Sequence, residues 1–395
     1  MQKRPPTIRL AKPADAMSIT ILYQRVYSGN YTNPLMRDIA ILTAFLQNKA
    51  NLWVVVEESG DSESREEKTL EQNNFRLIGS VVYETDPTHR LARAFGGVVL
   101  SEYRGGGLLE QAMKFAQNHL MDIKIDVVYA TTRTSSQAPQ IVTQHLGYKK
   151  LGIFPNVHKT ETYETHCLTA LFGEQALEKR KVDFGLHPRI RALFEIVQQE
   201  CSLPNLPEAN PDDLALDSFS QTIDLELITA EKYATHRYES QRTHGLLHAH
   251  FYPFHSPNMV ISSPCQTVEI FLYVASSDKH CTIMGVKKPR EYNFTELLNV
   301  CSSLLSGIGV RYIEILVRAD KAKTLERVMK AKFVPCAYFP AFQKAEDFRF
   351  DFVVLARTFE ILDFSSVKLT GKNRVYLDQY IQNIQEYFLQ PKSSD

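Results

Sequence analysis

The alternation of apolar and polar positions divides the first 175 residues into a regular series of short elements. Ile8 to Leu10 reads as a short strand, followed by a helix from about Pro13 and a second helix over Met36–Asn48. Leu52–Glu57 is a largely apolar run, the pattern of a buried strand. Residues 58–74 are acidic and contain serine without periodicity, as expected of a solvated loop. Phe75–Glu84 and Leu91–Leu100 are the next two strands, with Asp86-Pro87-Thr88 turning the chain between them. Leu108–Met121 is an amphipathic helix, Asp126–Thr132 a strand, and Ala138–Leu146 a helix closed by Gly147, which suits a left-handed cap. Strands over Lys150–Pro155 and Thr165–Phe172 complete the series.

Helical stretches are predicted over Gly173–Lys181 and Pro188–Glu200. Pro204, Pro207 and Asn210-Pro211-Asp212-Asp213 then mark a linker. Beyond it the pattern repeats. Residues 126–156 placed over 311–341, at a constant offset of 185 and without gaps, align Arg133 with Arg318, Tyr148 with Phe333, and Phe154-Pro155 with Phe339-Pro340. A strand at Cys281–Val286 and a helix at Thr295–Ser306 keep the order of the first half. The expected organisation is a first domain over 1–175, a helical linker region over 176–220, a related second domain over 221–370, and a C-terminal helix and tail over 371–395.

The chemistry concentrates where the strand ending in Val98-Val99-Leu100 runs through Arg104-Gly105-Gly106-Gly107 into the helix at Leu108-Leu109. Glycines before a helix N-terminus present backbone N–H groups to an anion without side chains in the way, and the helix dipole favours negative charge. Arg104 adds a cation suited to phosphate. A plain tight turn is the competing reading of the glycines alone. Arg-Gly-Gly-Gly-Leu-Leu is not a GxGxxG dinucleotide fingerprint, and no acidic residue follows at the required distance.

Taken with the order of elements, these residues resemble the GNAT N-acetyltransferase superfamily over roughly residues 7–172. Its phosphate loop, Arg/Gln-x-x-Gly-x-Gly/Ala, is matched by Arg104 and Gly107, with Gly105 also in place. Val99 stands at the family's strand valine, and Gly147-Tyr148 matches a later Gly-Phe signature. Ser101 replaces a proline, and Leu109 replaces the last small residue of the loop. The resemblance implies an α/β fold with a mixed central sheet flanked by helices, and acetyl-CoA or another acyl-CoA as cosubstrate. It places the diphosphate on Arg104, Gly105, Gly106, Gly107, Leu108 and Leu109, and the pantetheine arm along Val98, Val99 and Leu100. Thr143 occupies the position of the family's proton-donating tyrosine, and Ser136 that of its asparagine. The nearest candidates for a base are Glu84 and Tyr83, at the end of the preceding strand. At the same offset the phosphate loop projects onto Pro289-Arg290-Glu291-Tyr292, which has no glycine. The expectation is therefore two GNAT-like domains, the second without a donor site. The implied activity is acyl transfer to an amine on a small molecule or peptide; the alternative is a binding or scaffold protein that has lost catalysis.

Composition trims the picture. Lys+Arg and Asp+Glu number 45 each, so the formal net charge is zero and bulk attraction to nucleic acid or anionic membrane is not expected. No stretch approaches the ~18 apolar residues of a membrane span, and the N-terminus shows no secretory signal pattern. The six cysteines form no CxxC pair, which suits reduced thiols in a cytoplasmic compartment. His244, His248, His250 and His255 cluster after the linker, with His244 and His248 expected on one helix face. Lacking a Cys or Glu at motif spacing, they read as packing or substrate-lining residues, and no metal is expected.

Overall fold

The computed structural model describes residues 5–28, 33–58, 76–159, 163–216, 223–248 and 251–389. The acidic loop predicted at 58–74, apart from Glu58, and His250 lie outside the described residues. The chain forms two compact units, residues 1–130 with 142–147 and residues 131–141 with 148–395.

The first unit holds β1 (Thr7–Leu10), α1 (Ala16–Tyr27), α2 (Ile39–Gln47), β2 (Asn51–Glu57), β3 (Leu77–Asp86), β4 (Leu91–Val99), α3 (Leu108–Asp122), the first residues of β5 (Val127–Arg133) and the end of α4 (Ala138–His145). β1 to β4 pair in sequence order and antiparallel, and β4 pairs with β5 in parallel. Val54, Val55 and Val56 are fully buried, as the apolar run of β2 requires. On α3 the buried residues Ala112, Met113, Ala116, Gln117 and Leu120 recur at helical spacing, and that stripe packs on β2, β3 and β4.

The second unit continues with β6 (Lys149–Lys159), β7 (Tyr163–Phe172), α5 (Arg191–Cys201), α6 (Pro211–Leu214), β8 (Glu226–Ile228), α7 (Glu231–Thr243), β9 (Met259–Ser262), β10 (Glu269–Ala275), β11 (His280–Lys287), α8 (Phe294–Gly307), β12 (Tyr312–Arg318), α9 (Ala322–Lys330), β13 (Val334–Ala345), β14 (Phe348–Thr358) and α10 (Gly371–Ile384). Its strands form a mixed sheet in the order β7-β6-β13-β14-β12-β11-β10-β9-β8, with β11 and β12 parallel. Gly152 on β6 faces Ala337 on β13, and a Cβ on Gly152 would stand 2.2 Å from that of Ala337. Only glycine permits this approach.

Some elements 185 positions apart have similar bounds. β12 spans the residues 185 positions after β5, and α9 and β13 start within a residue of where α4 and β6 project. Lys124 and Gly309 both take positive φ, as do Asn156 and Ala341, again 185 apart. Each parallel pair also has a four-residue register, Leu91↔Val127 to Ala94↔Ala130 and His280↔Tyr312 to Ile283↔Ile315.

Two local expectations are corrected. Residues 173–181 form turns instead of a helix. Lys181 N–H donates to the Arg349 carbonyl and Arg349 N–H to the Lys179 carbonyl, while the Arg180 side chain reaches Asp351, so this segment is held by tertiary partners. His244 and His248 do not share a helix. α7 ends at Thr243, Gly245 takes φ +67°, and His248 makes a bridge with Val286.

A histidine cluster in the second unit links this fold to pH. The His158 and His166 rings lie 5.5 Å apart, and His158 Nδ1 is 3.2 Å from Asp278 Oδ1. His280 stacks on Tyr312, and desolvation pulls its pKa down to about 4. A free imidazole titrates near ~6.5, so on acidification the unfolded chain takes up the proton first. The stability held by a neutral His280 is present above about pH 6.5 and is lost as pH falls toward 4. His280→Phe keeps the ring stack but cannot titrate, so it should flatten the fall in melting temperature across that window. An unchanged slope would remove His280 from the cause.

Candidate active site

The site grows from an irregularity in β4. Val82 opposes Phe95 and Ser80 opposes Val98, so Gly96 and Gly97 on β4 face Val81 alone and form a bulge. Gly96 has φ +62°, and a Cβ there would stand 2.8 Å from Tyr23 Oη. That hydroxyl donates to the Gly96 carbonyl, so α1 helps to hold the bulge. The bulge begins two residues after Ala94, the last residue of β4 in the parallel register with β5.

The edge beyond the bulge carries backbone polar groups. Leu100 N–H donates to the Ile78 carbonyl at 2.9 Å, toward β3. By the alternation of an antiparallel ladder, the N–H and C=O of Val99 point to the opposite edge. There Arg104 Nε reaches the Val99 carbonyl at 3.0 Å, which ties the exposed guanidinium to the strand end.

After a single 3₁₀ turn at Ser101–Tyr103, the loop enters α3 through its glycines. Gly105 and Gly107 take φ of +86° and +71°, a region costly for other residues. Nothing lies within 4 Å of where a Cβ on Gly105 or Gly106 would stand. Gly107 caps α3 in the left-handed region and supplies no side-chain acceptor, so no side chain caps the first turn of the helix. Leu109, which departs from the resemblance, packs its side chain against Gly97 of β4. The far side of the loop is pinned by groups that carry no local signal along the chain. Tyr103 Oη donates to Glu58, which raises the phenol's pKa, and Arg76 donates to Glu102 at 2.6 Å. Strand pairing brings these residues together over long sequence separations.

The candidate bases are placed differently. Tyr83 is fully buried. Glu84 stands opposite Arg93 in the β3–β4 register and accepts from it at 2.8 Å. Thr143 is buried on α4, and Ser136 is exposed.

The loop of the second unit at the equivalent place is built otherwise. Between β11 and α8 there is no glycine. Asn293 caps α8 by accepting from Thr295 N–H at 3.0 Å, and Lys288 Nζ bonds the carbonyls of Pro289 and Tyr292 at 3.1 Å each. The groups an anion would need are partly engaged within the protein. Among the described residues no cluster of His, Cys, Asp or Glu is arranged to hold a metal ion, and all six cysteines are free. No helix among them is long and apolar enough to cross a membrane.

No family model and no curated protein matches the chain. Among solved structures, the ribosomal-protein-S5-alanine acetyltransferase of Vibrio fischeri aligns at 17% identity, covering 44% of this chain and 96% of its own, with a TM-score of 0.36. A putative acetyltransferase from Salmonella typhimurium, solved with acetyl-CoA, aligns at 17% identity over 43% of this chain and 94% of its own, TM-score 0.35. A GNAT-family acetyltransferase from Streptococcus pneumoniae gives 17%, 42%, 99% and 0.34 for the same quantities. The likeness to GNAT acetyltransferases spans less than half of the chain.

Proposed function

We propose that the chain is an acyl-CoA-dependent N-acyltransferase with acetyl-CoA as donor and an amine on a small molecule or peptide as acceptor. The observation that carries this reading is the join of the bulged β4 to an uncapped, glycine-led α3. The backbone N–H groups at Gly107, Leu108 and Leu109 would hold the diphosphate, with the helix dipole and the open Gly105–Gly106 turn favouring its approach. The outward N–H and C=O of Val99 would pair with the pantetheine amides, as a strand edge pairs with any extended amide chain. CoA supplies the activated thioester; the protein supplies its orientation.

Glu84 and Tyr83 remain the proposed candidates for moving the amine proton, through water in the case of the buried Tyr83. The Arg93–Glu84 ion pair favours a second reading, in which the unit binds acyl-CoA without transferring the group. Release of free CoA from acetyl-CoA in the presence of a panel of amines separates the two. Amine-dependent release supports transfer, and binding without release supports the second reading.

We also propose that the second unit contains a duplicate of this fold without a donor site, since its loop lacks glycine and its α8 is side-chain capped. Calorimetric titration with acetyl-CoA should then saturate at one molecule per chain. Two equivalent sites would show that the Lys288–Asn293 loop still binds.

A further inference from the structure

A groove of about 670 Å³ opens in the second unit along one stripe of α10. Gly371, Arg374, Leu377 and Ile381 recur on that helix face, and the facing wall is the segment from Phe364 to Leu369, with Ser136 and Gln137 at one end. The volume falls within the range of small-molecule sites. None of its lining residues belongs to the loop at Arg104–Leu109, while Ser136, at one end, stands at the family's asparagine position.

The wall is held by side-chain amides, one of them buried. Gln140, fully buried, donates to the Lys368 carbonyl at 2.8 Å and accepts from Thr370 N–H at 3.0 Å and Asn373 Nδ2 at 2.9 Å. Gln137 donates to the Leu369 carbonyl at 2.7 Å, and Lys368 N–H donates to the Thr134 carbonyl at 2.7 Å.

Its lining has two chemical parts. Phe364, Val367, Leu369, Leu377 and Ile381 are apolar. The charged lining residues are Lys368 and Arg374, both basic, and the first turn of α10 beside them contains no acidic residue. Helix dipole and side chains therefore favour an anion at the same end. Arg374 is engaged with Asp378 at 2.9 Å, but the two side chains are 64% and 57% exposed, and such a surface pair is weak enough to exchange for a ligand carboxylate. An apolar body paired with one negative group is the complement of this lining.

We propose that the groove on α10 binds a small amphipathic carboxylate, with its chain against Val367, Leu377 and Ile381 and its carboxylate at Arg374 and Lys368. Calorimetric titration of the full chain with sodium octanoate at low salt tests this, with octan-1-ol as the uncharged equivalent. Octanoate should bind saturably at one per chain and at least about tenfold more tightly than octanol. Charge reversal at the two exposed positions, Arg374→Glu with Lys368→Glu, should weaken octanoate by at least about tenfold while leaving octanol binding unchanged. The thermal melt of the variant confirms its fold. Absence of saturable octanoate binding, equal affinities for octanoate and octanol, or unchanged octanoate affinity in the reversed variant would each overturn the proposal. Acetyl-CoA affinity, measured separately, decides the donor site and not this one.

Discussion

Gly107→Glu should reduce acetyl-CoA affinity by at least about a hundredfold, a loss of ~2.7 kcal/mol. Two effects add. Gly107 sits at φ +71°, where a side chain costs roughly 1–2 kcal/mol. The glutamate also brings a negative charge, and an acceptor for the free N–H groups of α3, to the place proposed for the diphosphate. Gly107→Ala carries the first effect without the second and should bind with an intermediate affinity. Calorimetry on both variants, with circular dichroism to confirm folding, separates strain from charge. Affinity within about threefold of the parent in a folded Gly107→Glu chain would mean that the donor does not sit on this loop.

Asp351→Ala should cost the second unit about 3–5 kcal/mol, enough to exhaust much of the stability of an ordinary domain. Both members of the Arg180–Asp351 pair are buried, with side chains 1% and 0% exposed. Asp351 accepts from Arg180 through both oxygens, from Tyr338 Oη at 2.5 Å and from Ala341 N–H at 2.9 Å. Removing it leaves a buried guanidinium without its counter-ion. The attraction between the pair was offsetting its desolvation, so deleting both charges is the milder change. Arg180→Met with Asp351→Leu should therefore recover at least half of the loss in urea unfolding. If the single variant unfolds at the parent's midpoint, the pair contributes nothing and the turns at 173–181 are held by backbone bonds alone.

The elements are legible along the chain wherever the signal is local. The α3 stripe follows from the 3.6-residue period of a helix, and β2 from an unbroken apolar run. The positive φ angles at Gly105 and Gly107 belong to the same class, because they reflect the absence of a Cβ in the residue itself. The loop at Arg104–Leu109 can thus be singled out before any contact is known. The bulge at Gly96-Gly97 escapes a reading by periodicity. Its signal is present as a glycine pair within an apolar strand, yet what makes it a bulge is the partner strand's register.

Pairwise matters are decided only by tertiary structure. Glu84 reads as an available carboxylate along the chain, and it is the β3–β4 register that sets Arg93 opposite it. Residues 173–181 have a helical pattern, but Arg180 is drawn to Asp351 and the backbone at Lys181 to Arg349, and these contacts outweigh a helix propensity of a few tenths of a kcal/mol per residue. The Asn293 cap and the Gln140 network depend in the same way on side chains meeting at hydrogen-bond distance. By itself the sequence determined periodicity and backbone freedom, because these belong to single residues and near neighbours. Which charges are paired, which helix ends are capped and where the groove on α10 opens are set by register and packing, which bring together residues as far apart as Gln140 and Asn373.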